Sequence, residues 1–228
     1  MIIIPTLNRP EQCAQVVKRV VSCGDTVLVF INAPHRLYEE AFEAAGLFGV
    51  HSNLMFHADG TNHGCLGALN KTLKMFPFEG SYTFIADDEF LDPHSAPNWH
   101  EQLCNAAGAW DFSHGIDSIW NGVRAQGFLC IGGSLARAVG YLAVPTCWHW
   151  YGVDDMFETL ARVGACGNVI VPSVRVDHRH FSIGKAERDE CYKLGASKIL
   201  EDKAAFQKWT DEELPRVIER IRQAKNAG

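Results

Sequence analysis

Three consecutive acidic residues, Asp87, Asp88 and Glu89, directly follow an apolar run that has the length of a buried strand. Carboxylates at i and i+2 in a chain that leaves a strand can reach the same divalent cation. Mg²⁺ and Mn²⁺ prefer such oxygen ligands and share their coordination shell with phosphate oxygens. The triplet therefore predicts a metal site for a phosphate-containing ligand. The alternative is an acidic turn that only caps the following segment.

Two histidines at i and i+2, His178 and His180, lie in an extended, valine-containing stretch near the carboxy terminus. Alternate side chains of an extended segment point to the same side, and a neutral imidazole can complete the coordination shell of a metal ion. Lys185 follows in a Gly-Lys-Ala sequence, where its ammonium group can neutralise a diphosphate. The alternative is a surface histidine pair in a basic loop.

Asp154 and Asp155 begin a predicted helix, directly after an aromatic cluster that includes Trp148, Trp150 and Tyr151. A carboxylate at this place can act as a general base if it lies within hydrogen-bond reach of a hydroxyl group. Aromatic faces pack against the apolar faces of sugars and bases. Asp is also a common N-cap residue, so the alternative is a helix cap beside core aromatics.

An alternation of apolar runs and helical patterns must position these candidates. Apolar runs that end in polar turns predict strands at 2–4, 27–31, 51–56 and 81–86. The first intervening helix has one apolar face, formed by Cys13, Val16, Val17, Val20 and Val21. This alternation predicts an α/β fold with a mostly parallel sheet that is covered by helices on both faces.

The second half of the chain is less regular. Strands are expected at 116–120, 128–131, 169–171 and 174–176. Helices are expected at 99–109, 134–140 and 154–163. Thr210 and Glu213 have the spacing of a capping box, which predicts a final helix beginning there. We therefore expect one α/β domain over residues 1–192 and a helical extension, residues 193–228, that packs on it.

Parallel α/β sheets bind ligands outside the carboxyl ends of their strands, so the residues that follow each strand are the candidates for a binding site. Thr6, Asn8 and Arg9 follow the first strand, Asn32 follows the second, and the acidic triplet that starts at Asp87 follows the fourth. We expect these side chains to converge on one rim of the sheet, where they would form a nucleotide site.

Composition narrows the class of protein. The 228 residues carry a formal net charge of −6, which does not favour nonspecific binding to nucleic acid. The eight cysteines include no C-x-x-C pair, and we expect free thiols in a reducing compartment. The sequence has no signal-peptide pattern and no apolar run of about 18 residues. We therefore expect no membrane span and a cytoplasmic location.

In their order and spacing these segments resemble the GT-A glycosyltransferases, especially the family-2-like enzymes and the small phage and bacterial members. The resemblance covers roughly residues 1–192. It is carried by Ile3–Pro10, Asn62–Gly64 with Ala68 and Asn70, Ala86–Glu89, Gly152–Asp155 with Arg162, and Asp177–Ala186 with Asp189 and Tyr192. A bacterial or phage-infected cell is the source that it implies.

The resemblance implies transfer of a sugar from a nucleotide-diphosphate donor, with a UDP-sugar favoured, to an acceptor hydroxyl, with inversion. It also implies Mn²⁺ or Mg²⁺ as a cofactor. The ligands would be Asp87, Glu89 and His178 or His180. Because the acidic motif ends in Glu, Asp88 with Glu89 is the alternative carboxylate pair.

The same resemblance assigns roles to the remaining candidates. Lys185 and Arg9 would add positive charge near the phosphates. Thr6, Asn8 and Asn32 would contact the nucleoside. Asp154 or Asp155 would be the general base; Val153 stands where the family has a glutamate, so the choice between the two stays open.

Two other functions fit parts of the pattern. A nucleotidyltransferase also uses carboxylates and metal on a parallel sheet, but it usually has a glycine-rich loop after the first strand, and Thr6–Pro10 contains no glycine. A non-catalytic module that binds nucleotide sugars or carbohydrates is the second alternative, because of Val153. The acceptor stays open among a glycan, a lipid-linked intermediate, a protein and a modified DNA base.

Overall fold

Four parallel strands form the first half of one eight-stranded sheet in the computed structural model, which describes residues 1–227. They are β1 (Ile2–Thr6), β2 (Val27–Ile31), β3 (Leu54–His57) and β4 (Ser81–Ile85), in the spatial order β3-β2-β1-β4. Every residue of β1, β2 and β4 is buried. This burial is what their uninterrupted apolar runs predicted, since a parallel sheet is covered on both faces.

The second half of the sheet is mixed, so the sheet as a whole has four parallel and three antiparallel strand pairs. Its strands are β5 (Glu89–Leu91), β6 (Phe112–Asp117), β7 (Phe128–Gly132) and β8 (Asn168–His178), in the order β4-β7-β6-β8-β5. β7 runs antiparallel to β4 and β6. The connection from β6 to β7 is a loop without a helix, and such a connection joins neighbouring strands in antiparallel orientation.

Eight α-helices cover the sheet within the described residues 1–227. They are α1 (Pro10–Val20), α2 (Arg36–Ala44), α3 (Gly64–Met75), α4 (Trp99–Ala107), α5 (Gly133–Val139), α6 (Asp154–Arg162), α7 (Glu190–Glu212) and α8 (Leu214–Ala227). Alternate residues of β1 enter two separate cores: Ile2 and Ile4 pack with α1, α2 and α4, whereas Ile3 packs with α3, α5, α6 and α8. The predicted apolar face of α1 is buried as a whole.

The carboxy-terminal helices differ from the expected tail. Thr210 does not cap a helix, because it lies inside α7 and its hydroxyl donates to the carbonyl of Phe206 at 2.9 Å. The helical axis breaks later, next to Pro215, which has no N–H for a continued helix. Val217 and Ile221 of α8 are buried in the core beside α5, so the tail packs on the same sheet as the rest of the chain.

The thiol groups and the helices agree with two further expectations. All eight cysteines are free thiols, and Cys13, Cys130, Cys147 and Cys166 are buried. Within residues 1–227, none of the helices has both the length and the apolar character that crossing a bilayer requires.

Candidate functional site

A cavity of about 360 Å³ opens at the carboxyl ends of β1 and β4, and its volume is within the range of small-molecule sites, roughly 300–1,000 Å³. Its lining includes most of the candidates for catalysis, metal binding and donor binding: Thr6, Arg9, Asn32, Asp87, Asp88, Asp154, Asp155, His178 and His180. Asn8, Glu89 and Lys185 do not line it. The convergence expected at this edge of the sheet is therefore present for most of the candidates.

Asp87 is held by the last residue of β1 and by Arg9 of the loop that follows. The Thr6 hydroxyl donates to Asp87 Oδ2 at 2.9 Å, and Arg9 Nη1 donates to Oδ1 at 2.9 Å. Burial raises the pKa of Asp87 to about 6, against the opposing charge of Arg9. The guanidinium of Arg9 also pairs with Asp189 at 2.7 and 2.9 Å. Both oxygens of Asp87 thus already have protein partners.

Asp88 presents its carboxylate to the cavity beside an imidazole. Its Oδ2 accepts a hydrogen bond from the hydroxyl of Tyr192 at 2.7 Å and lies 3.6 Å from His178 Nε2. Burial acts to raise the pKa of Asp88, but interactions with His178 and Tyr192 outweigh it and hold this pKa at about 2. Asp88 is therefore an ionised oxygen donor at neutral pH, adjacent to an imidazole that lines the same cavity.

Glu89 lies behind the cavity, which revises its assignment as a metal ligand. It is the first residue of β5, and its side chain is fully buried under Gly127. Oε2 accepts from the backbone N–H of Ala86 at 3.2 Å, and Oε1 lies 3.5 Å from His178 Nδ1. Burial raises the pKa of Glu89 well above its ordinary value. Glu89 Oε1 and His178 Nδ1 face each other, and neither has a hydrogen-bond partner among the described residues.

Lys185 and Asn8 lie outside the cavity, in a neighbouring shallow depression. Lys185 Nζ pairs with Asp177 Oδ1 at 2.5 Å. Asn8 has a left-handed backbone with φ of 54° and an exposed side chain. The local sequence could not show that these two side chains lie outside the cavity. Both residues follow predicted strands, but in the folded chain their side chains turn away from the rim of the sheet. Arg9 is the cation of the predicted set that does line the cavity.

Asp154 and Asp155, at the start of α6, have different surroundings. Arg124 Nη2 donates to Asp155 Oδ1 at 2.6 Å, so Asp155 fixes the loop between β6 and β7. Among the described residues, no side chain hydrogen-bonds the carboxylate of Asp154. Asp154 keeps some contact with solvent in the cavity, yet burial raises its pKa to about 7 and the charge of Asp155 adds to this rise. Of the two, Asp154 is the carboxyl group without a side-chain partner in the described part of the chain.

Asp202 of α7 was not singled out in the sequence, but it holds the segment of the cavity wall that carries Trp148 and Trp150. Its side chain is 1% exposed and accepts three backbone N–H bonds, from Trp148, His149 and Trp150, each at 2.8 Å. Gly64 at the other side has a φ of 69° and lies so close to Trp148 that a Cβ would be 2.6 Å from its carbonyl oxygen. No local sequence signal links Asp202 to a loop more than fifty residues away.

Replacing Asp202 by Asn should destabilise the protein. An amide group offers one acceptor and one donor where three N–H groups converge, so at least one N–H loses its partner. Hydrogen bonds to charged groups contribute about 1.5–3 kcal/mol, and we expect the free energy of unfolding to fall by that amount in urea denaturation. Asp211→Asn, in an exposed position of the same helix, is the matched control. An equal stability for the two variants would contradict this role of Asp202.

Two other parts of the cavity wall come from distant segments. The start of α7 supplies Tyr192, whose ring also lies 4.2 Å from the guanidinium carbon of Arg9. The loop between β6 and β7 supplies Trp120 and Arg124, with the guanidinium 5.5 Å from the indole ring. Tyr192 belongs to the stretch that carries the family resemblance, whereas the loop residues follow no motif.

Comparisons with known proteins give matches in structure alone. Neither the protein-family profiles nor the curated protein sequences contain a significant match. GalNAc-T7, solved with UDP, GalNAc and Mn²⁺, has a TM-score of 0.59 and 13% identity over 95% of this chain and 56% of its own. Mannosyl-3-phosphoglycerate synthase from Rubrobacter xylanophilus has a TM-score of 0.56 and 10% identity over 92% and 74%.

A third similar structure is glucosyl-3-phosphoglycerate synthase from Mycobacterium tuberculosis, solved with Mn²⁺ and UDP-glucose. It has a TM-score of 0.52 and 12% identity over 88% of this chain and 77% of its own. The chain therefore has the GT-A fold expected from its sequence. It spans little more than half the length of GalNAc-T7, and identities this low establish the fold alone.

Proposed function

We propose that this chain is a glycosyltransferase that moves a sugar from a nucleotide-diphosphate donor to an acceptor hydroxyl with the help of a divalent cation. One observation carries the proposal: the ionised Asp88 and His178 lie in the same cavity as the carboxyl group of Asp154, which has no side-chain partner among the described residues. The cavity thus combines ligands for a cation with a separate group that can take a proton. The similar structures solved with nucleotide sugars or nucleotides and Mn²⁺ support this reading.

The donor set fits a divalent cation. Asp88 Oδ2 and His178 Nε2 are 3.6 Å apart, and His178 Nδ1 is buried beside Glu89 without a hydrogen-bond partner. A mixed carboxylate and imidazole set suits Mn²⁺ better than Mg²⁺, which prefers oxygen alone. We therefore assign Asp88 and His178 as ligands, with His180 next to them, and Glu89 as a positioning residue. When bound, the cation would offset the negative charge of the leaving diphosphate.

Donor binding would use the loops after β1 and β2. Arg9 is buried between Asp87 and Asp189, and these ion pairs raise its pKa although burial alone would lower it. Arg9 thus keeps a positive charge beside the proposed phosphate position. Asn32 is buried, and its amide group braces the turn before α3 by accepting from His63 N at 3.0 Å. Thr6 and Asn32 are proposed to contact the nucleoside, and a UDP-sugar remains the favoured donor.

The acceptor would enter along the aromatic wall formed by Trp120, Trp148, Trp150 and Tyr151. Asp154 would take the proton of the attacking hydroxyl. The hydroxyl oxygen then forms a bond to the anomeric carbon while the bond from that carbon to the diphosphate oxygen breaks. Because Asp154 would deprotonate the acceptor hydroxyl itself, we infer a single displacement with inversion at the anomeric carbon. The aromatic side chains can pack against the apolar face of a sugar or against another flat group, so either is suited as the acceptor.

A turnover assay tests the proposal. We expect the purified chain to release UDP from at least one UDP-sugar in the presence of Mn²⁺, slowly with water as acceptor and faster with an acceptor hydroxyl. We also expect UDP to raise the melting temperature only when Mn²⁺ is present. GDP and GDP-sugars, as well as EDTA, are the controls for base preference and metal dependence.

The same assay separates the alternatives. A nucleotidyltransferase would form or consume pyrophosphate instead of releasing a nucleoside diphosphate. A binding module would be stabilised by the nucleotide sugar but leave it intact through prolonged incubation with a panel of acceptors. Either result would overturn the proposed activity.

A further inference from the structure

A second group of possible metal ligands lies at the opposite, amino-terminal edge of the sheet. Cys23, Asp25 and His100 bring a sulfur, a carboxylate oxygen and an imidazole nitrogen within 4.8 Å of one another. Cys23 ends a short 3₁₀ turn, Val21–Cys23, and Asp25 comes just before β2. His100 lies in the first turn of α4. None of these residues belongs to the cavity described above.

The turn that carries Cys23 and Asp25 is fixed by the conformation of Gly24 and by the side chain of Asn53. Gly24 between them has a φ of 88°, a left-handed conformation that Gly adopts without strain. Asn53 Nδ2 donates to the carbonyl oxygens of Val21 and Asp25 at 3.0 and 2.8 Å. These contacts hold the two side chains near each other, and Asp25 Oδ2 lies 2.6 Å from His100 Nδ1.

His100 is oriented in the same way. Its ring is 2% exposed, with Nε2 2.9 Å from the Thr83 hydroxyl and Nδ1 2.6 Å from Asp25 Oδ2. Metal-binding histidines usually have the second ring nitrogen in a hydrogen bond that fixes the ring, and Thr83 provides that bond here. The nitrogen that points to Asp25 and Cys23 is the one left for a metal ion.

We propose that Cys23, Asp25 and His100 form a site for a Zn²⁺-like divalent cation, separate from the cavity. A thiolate, a carboxylate and an imidazole form a donor set that Zn²⁺ accepts and that Mg²⁺ does not favour. The ion would replace the proton between His100 Nδ1 and Asp25 Oδ2 and the proton of the Cys23 thiol; in the neutral imidazole the first proton moves to Nε2, and the thiol proton is released to solvent. His100 Nε2 would then donate to Thr83.

Such an ion would connect α4 to the turn before β2. These two elements are far apart in sequence, and the hydrogen bond of Asp25 with His100 joins them in this region. Cys104, one turn after His100, lies beside the same imidazole, with its sulfur 3.7 Å from Nε2 and 3.9 Å from Nδ1, and is not part of the ligand group. Because the ion would bind the folded chain, it would raise the stability in proportion to its concentration relative to its dissociation constant.

Titration of the reduced, metal-free chain with Co²⁺, a spectroscopic substitute for Zn²⁺, tests the site. We expect a sulfur-to-cobalt charge-transfer band that saturates at one equivalent. The band should be lost in Cys23→Ser and strongly weakened in His100→Asn. Zn²⁺ should also raise the melting temperature of the wild type but not that of Cys23→Ser. Circular dichroism of each variant without metal shows whether it is folded.

Cys191→Ser is the matched control, because Cys191, like Cys65, is a thiol that lines the cavity with Asp88 and His178. This variant should keep the charge-transfer band. The proposal is overturned if the folded wild type gives no sulfur-to-cobalt band, or if the band survives Cys23→Ser and disappears in Cys191→Ser. Neither outcome depends on whether the chain transfers sugars.

Discussion

Asp88→Asn is expected to remove the Mn²⁺-dependent binding of UDP and to lower turnover by at least about 10²-fold, the smaller loss seen when one electrostatic group of an active site is removed. Asn keeps the size of the side chain but has no charge for the cation. It can still accept from the Tyr192 hydroxyl, which donates to Asp88 at 2.7 Å, so the fold should be retained. Isothermal titration of UDP with and without Mn²⁺, together with turnover, measures the effect.

Asp92→Asn is the matched control for that substitution. Asp92 follows β5, and among the described residues its carboxylate accepts only from the backbone N–H of His94, at 2.8 Å, a turn contact that Asn also makes. Unchanged Mn²⁺-dependent binding in Asp88→Asn would contradict the assignment.

Glu89→Gln should give a smaller effect on the same measurement. Glu89 acts on His178 and does not reach the cavity, and loss of such an orienting partner lowers metal affinity about 10–100-fold. A weaker Mn²⁺ affinity, with the dependence on Mn²⁺ preserved, distinguishes a positioning residue from a ligand. If Glu89→Gln removed Mn²⁺-dependent binding as completely as Asp88→Asn, Glu89 would be a metal ligand.

The regular half of the fold could be predicted from the sequence because its signals are local. The run of five apolar residues in β2 was predicted with the correct bounds, Val27–Ile31, since both faces of that strand are buried. The helical spacing of α1 likewise predicted its buried face, and Gly24 marked the end of the segment. The GT-A fold then followed from the order of such segments together with the motifs.

Strand direction and side-chain direction were less predictable. Nothing within β7 itself indicates that it runs antiparallel to β4. The helix-free connection from β6 makes β7 antiparallel to β6, and β7 lies between β6 and β4 in the sheet. The acidic triplet was identified as a site, but the members that reach the cavity depend on where β5 begins. Because β5 begins at Glu89, that side chain turns inward and Asp88 becomes the proposed ligand.

Contacts between distant segments were not predictable at all. Asp202 reads as one more charged residue of a helix, and only the folded chain places it beneath the backbone of Trp148–Trp150. Tyr192 likewise reaches Asp88 across more than a hundred residues. Both contacts come from α7, so the helix that a sequence pattern describes as an extension in fact completes the walls of the cavity.

The choice between Asp154 and Asp155 as the base, which the sequence left open, leads to the second large effect. A positioned general base contributes about 10²–10⁴-fold to rate. We expect Asp154→Asn to lower kcat by that factor in single-turnover transfer while the affinity for UDP and Mn²⁺ stays nearly constant. Asp155→Asn weakens the contact with Arg124 and should act mainly on acceptor KM, through the loop that carries Trp120. Asp211→Asn is the control on an exposed surface.

The pH profile provides an independent measurement on Asp154. Burial raises its pKa to about 7, and the base is active only when deprotonated. Below pH 7 the carboxyl group is mostly protonated, so kcat/KM should fall about tenfold per pH unit and should reach a plateau above pH 7. Asp87, with a pKa of about 6, can add a second inflection at lower pH, and that inflection should remain in Asp154→Asn. The inflection near pH 7 should vanish in this variant, because Asn does not titrate. A wild-type rate in Asp154→Asn, or an unchanged inflection near pH 7, would show that another group takes the proton and that Asp154 only begins the helix.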